Sequence, residues 1–539
     1  MKVRSDVIKL AKSMHTWVGV CSGILLFICF FAGGLTMFQH HLTRWVTPST
    51  QVLPPLETEE LNIFIQRLQQ EYPATREHFT LNLRSNEFHY APITWTDEQR
   101  RSREFSTQHN TWLASLDDQN QLMVKQENVS KLGPMLEQLH ETAGIPGKLG
   151  HESLGLSIMG IISILYFLAL LSGLIVLLPT LIKDFFAIRP GKNKKRFWLD
   201  THNVIGITSL PFHIIISVSV IVFAFHDILY DSISMVANNK QPFFKRPPPA
   251  TIEVKQTTLD IPQILTLVKQ KDPSYSVDFI HFSNLDKPEQ ASARIGVYSP
   301  NHMLLGANQD AVTVNPYNLE SYKNQALDSR NSTAEKWIYS MFGLHFGSFG
   351  GLGIRWMYVL LGFGGAYLFY SGNILWVETR ARKAKNSNQP IQQRKDVRFL
   401  ANLTIGACLG CILAVSFTVL LTKLLYVSIA INMVNINLFM VYSYYGLFIF
   451  CIFYAFIVGA SKALPHFLFA IAISLILMPI LSLIHWILAE QALLAHSFYF
   501  WPIELSALVL GILFLFFHRR TVLRAQQAPP NSIWSSSSF

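Results

Sequence analysis

The chain has 539 residues, half of them hydrophobic and 14% charged, with a formal net charge of +10. Ordinary soluble domains carry about 25% charged residues, so this composition excludes one. The positive charge does not point to nucleic acid either, because the Lys and Arg residues gather beside the ends of long apolar blocks.

A membrane span needs about 20 apolar residues to cross a hydrocarbon core of roughly 30 Å. Eight segments meet that length, near 18–38, 154–181, 204–225, 352–377, 400–426, 438–458, 465–488 and 498–517. The first is too long for the apolar core of a signal peptide, and Gln39, His40 and His41 follow it in place of small residues. It reads as a retained helix. The basic clusters are Lys2, Arg4, Lys9 and Lys12; Lys183 to Arg196; Arg380 to Arg398; and Arg519, Arg520 and Arg524. Eight spans place all of them on one side, and the excess of Lys and Arg makes that side cytoplasmic. Both termini are then cytoplasmic, and the loops 42–153 and 227–351 lie outside. The five cysteines, Cys21, Cys29, Cys408, Cys411 and Cys451, all fall in predicted spans, so no disulfide framework is implied. Cys408 and Cys411 read as small packing residues of an apolar helix.

The first four spans form a duplicated unit of helix, large outer loop and returning helix. Each copy opens with His and, four residues on, Gly: His15 and Gly19, then His202 and Gly206. Each outer loop closes on Leu-His before a glycine-rich stretch, at Leu139-His140 and at Leu344-His345. Each returning helix carries Ser-Gly, Ser172-Gly173 and Ser371-Gly372. In the loops, an amphipathic stretch (58–71; 261–271) precedes alternating runs such as 79–83 and 276–282, which suggests a small α+β module in each. Both copies run in the same direction, so the pseudo-two-fold axis lies along the membrane normal. The four later spans lack the pattern.

Ionisable residues in spans are costly and mark function, and neutral imidazole both tolerates burial and ligates metal. The repeat predicts His15 facing His202 near the cytoplasmic surface and His140 facing His345 near the outer one. Two such pairs suit two bis-His haems set edge-on between helices, with Lys148 and Arg355 close enough in sequence to meet propionates. His213, whose counterpart in the first copy is Leu26, lies eleven residues after His202. On a straight helix that is about 16.5 Å along and about 20° around, so the two share a face. Ion or proton transport through the same histidines is the competing reading. His78, His89, His109, His281 and His302 read as solvated loop residues.

These residues together resemble the PepSY-associated transmembrane-helix family, which includes iron-regulated membrane proteins and bacterial ferrisiderophore reductases. The resemblance covers roughly residues 1–385. It rests on Met14-His15-Thr-Trp-Val-Gly19, Leu139-His140 with Ile145-Pro-Gly147, Leu171-Ser172-Gly173, and Leu199-Asp-Thr-His202 with Leu210-Pro-Phe-His213. It rests also on Leu344-His345-Phe-Gly-Ser-Phe-Gly-Gly351 and on Tyr370-Ser-Gly372 with Leu375-Trp376. It implies two periplasmic PepSY modules, b-type haems on transmembrane histidines, and electron transfer across the inner membrane. The inherited ligands are His15, His202, His140 and His345, with His213 also matching the pattern.

The fold expected is mainly α: a polytopic membrane protein of about eight transmembrane helices with two small α+β PepSY-like periplasmic modules. The segments expected are 1–41, 42–139 (first module), 140–228, 229–344 (second module), 345–378, 379–399 (basic linker) and 400–539. The function expected is a haem-containing oxidoreductase of the bacterial inner membrane, holding two haem b groups and passing electrons to a ferric siderophore. No nicotinamide or flavin fingerprint is visible, so the donor is a separate cytoplasmic reductase or a quinol, with membrane lipid as the remaining partner. A PepSY sensor that binds a peptide or protease, and a transporter using the last four helices, are the alternatives.

Overall fold

The structure, a computed structural model, describes residues 4–47, 53–84, 91–96, 111–150, 152–189, 194–226, 252–301, 310–324, 333–382, 392–428, 433–488, 501–529 and 532–535, isolated positions aside. Helix α1 (Ser5–Thr36) leads through short α2 (Gln39–Val46) to α3 (Leu61–Glu71), and α4 (Leu132–Thr142) to α5 (Leu154–Leu177). Then come α6 (Lys194–Thr208), α7 (Leu210–Ala224), α8 (Ile261–Lys271), α9 (Thr333–Phe346) and α10 (Gly351–Arg380). The rest is helical: α11 (Lys395–Thr404), a π turn (Ile405–Leu409), α12 (Gly410–Ser428), α13 (Met433–Val458), α14 (Ala460–Leu488) and α15 (Trp501–Gln527). Among the described residues seven helices are long and apolar enough to cross a membrane, or eight if bent α6 and α7 count as one span. The chain is a multi-pass membrane protein.

The third expected span is not straight. Helices α6 and α7 meet at 68°. Pro211, the second residue of α7, has no N–H to give, and its ring crowds the carbonyl four residues back, so the helix breaks there. The common helical face assigned to His202 and His213 is therefore corrected: the bend removes the straight helix on which it depended.

Two compact units form. One comprises Met1–Ser49, Lys131–Ala224 and Met357–Phe539; the other comprises Thr50–Ser130 and Phe225–Trp356. In the first, α1 packs on α5, α5 on α7, α12 on α13, and α14 on α15. Small residues set the close crossings, as expected where no hydrophobic driving force separates helix from lipid. A Cβ on Gly362 of α10 would lie 3.1 Å from the Gly34 Cα of α1, and one on Gly410 would lie 2.7 Å from the Cys451 Cβ. Cys408, Cys411 and Cys451 are all buried, as packing residues should be. At one end of the bundle, Arg524 and the Trp534 indole both reach Glu378 of α10, at 2.9 and 2.8 Å.

The second unit is built on β1 (Phe79–Asn82), β2 (Ile93–Thr96), β3 (Thr111–Leu116) and β4 (Leu122–Glu127) from the first loop. The second loop adds β7 (Ser276–Ser283), β8 (Ser292–Tyr298), β9 (Asp310–Asn315) and β10 (Asn318–Asn324); β5 (Lys148–Leu149) and β6 (Glu152–Ser153) form a separate short hairpin. The two loops do not make separate sheets. They join in one antiparallel sheet ordered β10-β9-β8-β7-β1-β2-β3-β4. The repeat explains the seam. Helices α3 and α8 begin at Leu61 and Ile261, so corresponding residues lie 200 apart, and β1 meets β7 with Phe79 opposite Phe282 and Asn82 opposite Phe279. That reciprocal pairing is what a two-fold axis through the seam requires. Leu61, Phe64, Ile65 and Leu68 of α3 and Ile261, Ile264 and Val268 of α8 share one core with Phe79, Leu81, Ile280, Phe282 and Ile295 of the sheet.

The expectation of solvated loop histidines is corrected for two of them. His78 is 5% exposed, its Nε2 3.1 Å from the Thr96 carbonyl, and His281 Nδ1 lies 2.9 Å from the Thr80 hydroxyl opposite it in the ladder. Burial, and then the neighbouring His78 and Arg294, hold the His281 imidazole below its ordinary pKa. His89, His109 and His302 lie outside the described residues.

Candidate functional site: imidazoles seated on glycine

Two of the repeat-equivalent histidines meet. His15 of α1 and His202 of α6 have ring centres 6.3 Å apart at an interplanar angle of 76°. Each ring sits over the glycine of a Ser-Gly pair on its own copy's returning helix. A Cβ on Gly173 of α5 would lie 2.9 Å from the His15 Cε1, and one on Gly372 of α10 would lie 3.6 Å from the His202 Cε1. The serine beside each glycine is fully buried.

The hydrogen bonds fix the tautomers. His15 Nδ1 lies 2.9 Å from the Ala169 carbonyl, which can only accept, so Nδ1–H donates. His202 Nδ1 lies 2.9 Å from the Ser371 hydroxyl. That hydroxyl gives its own proton to the Leu368 carbonyl at 3.0 Å, so Nδ1–H of His202 donates as well. In both neutral rings the lone pair is then on Nε2, the arrangement that a second partner on Nδ1 imposes on metal-ligating imidazoles. Two imidazoles sharing one metal ion, at about 2 Å per bond and about 1.2 Å from nitrogen to ring centre, have centres about 6 Å apart. The spacing of His15 and His202 fits that.

His140, on α4, follows the same rule. Its Nδ1–H donates to the Cys29 carbonyl at 2.9 Å. Its ring presses on Gly33 of α1, where a Cβ would lie 2.6 Å from Nδ1. His213 of α7 is fully buried. Its ring is 5.5 Å from that of Phe30 and 5.4 Å from that of Phe212, and its Nδ1 is 2.5 Å from the Tyr166 hydroxyl. The other nitrogen, Nε2, is buried with no hydrogen-bond partner among the described residues, which in a low-dielectric interior is costly unless a ligand completes it. Leu26, its counterpart in the first copy, lies in the same core as Phe30 and Tyr166. His345, on α9 with its ring 5.6 Å from that of Phe346, belongs to the sheet-bearing unit, as does Arg355. Lys148 lies exposed on β5.

Sequence reasoning found the four histidines of the bundle and missed what seats them. The Ser-Gly pairs were visible as a repeat; which ring each glycine admits was not. Asp200 was also missed. It is 2% exposed and accepts from Arg189 at 2.9 Å and from Arg196 at 3.0 Å, tying the basic loop to the start of α6 two residues before His202. Among the described residues no three His, Cys, Asp or Glu side chains gather to hold a bare metal ion.

None of the curated proteins matches the chain. The family model of the PepSY-associated TM region matches residues 12–379, a stretch that holds every histidine described above and ends with α10. By that match the chain is a member of the PepSY-associated TM region family.

Proposed function

We propose that the chain is a haem-containing oxidoreductase of the bacterial inner membrane that passes electrons across it to a ferric siderophore, the enzyme class being a ferric-chelate reductase. The carrying observation is the His15–His202 pair: repeat-equivalent imidazoles with both Nδ1–H groups committed and ring centres at the spacing for one shared metal ion. Imidazoles presented singly or in pairs suit a metal that brings its other ligands in a macrocycle. Haem b, when bound, supplies the one-electron couple.

The chain's own residues do the rest. His15 and His202 would hold the cytoplasmic group. By the sequence repeat alone, His140 and His345 would hold the outer one, with His213 as the further candidate, whose buried Nε2 has no partner among the described residues. Ala169, Ser371 and Cys29 orient the rings through Nδ1, and apolar side chains exclude water. No proton need move. The Lys and Arg clusters put both termini in the cytoplasm and the sheet unit, as two PepSY modules, outside. A separate cytoplasmic reductase or a quinol delivers the electrons. Ferrous iron is held less tightly than ferric by hard oxygen donors, so reduction releases it.

The test is spectroscopic. The full chain, expressed with ample haem, should show a Soret band and about two haems per chain. H15A or H202A should lower the content by about half, the double variant no further. H140A and H213A should separate the outer ligands, since only the true ligand removes the second haem. Protein without a Soret band would overturn the proposal.

A further inference from the structure

The four spans beyond the family match share a second polar centre with α2. Glu504, near the start of α15, and Lys423, near the end of α12, have side chains 13% and 8% exposed and lie 2.5 Å apart. The same carboxylate oxygen, Oε1, accepts from the Trp45 indole of α2 at 2.6 Å and from the Ser482 hydroxyl of α14. The Lys423 ammonium also lies over the Trp45 ring, 4.1 Å from its centre. Four elements thus converge on one oxygen, and Arg44 precedes Trp45 on α2.

The second oxygen is the informative one. Glu504 Oε2 is buried and, among the described residues, has no hydrogen-bond partner. A pair kept only to bind helices together is best served by donors on both oxygens. Here three donors crowd one oxygen, and the other faces the interior with its lone pairs bare. The species that completes it must bring a hydrogen to donate. A metal cation does not suit the place, because the ammonium already stands beside the carboxylate and would repel it. Pro479, three residues before Ser482 in α14, also loosens that helix, since it cannot bond to the carbonyl four residues back. Ionisable groups buried among membrane spans are where proton and ion sites are placed.

We propose that Glu504 is a proton-binding site in the added four-helix half. Hydronium delivers one proton to Oε2, an O–H bond forms, and one water leaves. The carboxylate loses its charge, Lys423 loses its counter-ion, and the lock between α12 and α15 weakens. No electron moves, so the site stands independently of the haem reading. In the orientation set by the basic clusters, Trp45, Lys423 and Glu504 all lie toward the outer ends of their helices, so the proton arrives from that side.

Infrared difference spectra of the full chain in detergent, recorded across an acid titration, read the proton directly. Acidification should raise a protonated-carboxyl stretch that shifts in D2O and is absent in E504Q. K423M should displace that band, because it removes the counter-ion of the carboxylate that carries it. E504D retains a carboxyl and should retain a displaced band, which covers the case in which E504Q fails to fold. Haem content should be the same in all three. A band that survives in E504Q, or wild type with no carboxyl band that K423M displaces, would overturn the proposal and leave the pair a helix fastener.

Discussion

The duplicated part of the bundle and the four helices that follow it keep polar groups in an apolar interior by opposite means. The duplicated part uses imidazoles. His15, His140 and His202 each direct Nδ1–H to an oxygen of a neighbouring helix and pack beside a glycine. The later part uses charge, with Lys423 and Glu504 bound to each other and roofed by Trp45. A neutral imidazole removed from water loses little and keeps a lone pair for a ligand. A buried ion survives only with its partner in place. The first arrangement therefore makes a ligand site that tolerates alteration, the second a site in which either residue is indispensable to the other.

The contrast is sharpest in stability. K423M leaves the Glu504 carboxylate uncompensated and should cost about 3–5 kcal/mol, seen as a large fall in the thermal midpoint of the detergent-solubilised chain. H15A leaves no buried charge and should cost far less while removing a haem. Equal losses in the two variants would erase the distinction. A smaller and more local effect is expected at the glycines. G173A puts a methyl 2.9 Å from the His15 ring, which must move, whereas G372A puts one at an ordinary 3.6 Å from His202. G173A should lower or shift the haem absorption and G372A leave it unchanged; the reverse order would show that the rings are not seated as described. The smallest effect lies in the sheet unit. Because His281 is held below its ordinary pKa, the unfolded chain takes up a proton at about pH 6.5 before the folded one does. Stability should be full above that pH and fall as pH drops from about 6.5 toward the folded value, followed by tryptophan fluorescence on unfolding. H281Q should flatten that limb, and an unchanged pH profile would remove the assignment.

Much of the plan was legible along the chain. Uninterrupted apolar runs such as the body of α5 permit little but a span, and the i, i+3, i+4 pattern of Leu61, Phe64, Ile65 and Leu68 is the buried face of α3. The duplication placed His15 beside His202 before any coordinate did. Where the reading failed, a local signal was outweighed by periodicity. Pro211 sits inside the quoted Leu-Pro-Phe-His stretch, yet the run of apolar residues around it reads as one helix, and the 68° bend followed.

What the sequence by itself determined is whatever depends on neighbours within a few turns: the spans, the helix-then-strands order of each loop, and the histidines at repeat-equivalent positions. What only the tertiary structure decided depends on groups far apart in the chain. Phe79 finds Phe282 across the seam that makes one sheet of two loops. Gly33 finds His140, and Gly173 finds His15. Glu504 gathers Trp45, Lys423 and Ser482 from three other helices. Each of these is a single residue without periodicity or motif around it. Its partner is fixed by packing two surfaces together, and a linear pattern carries no record of which surface meets which.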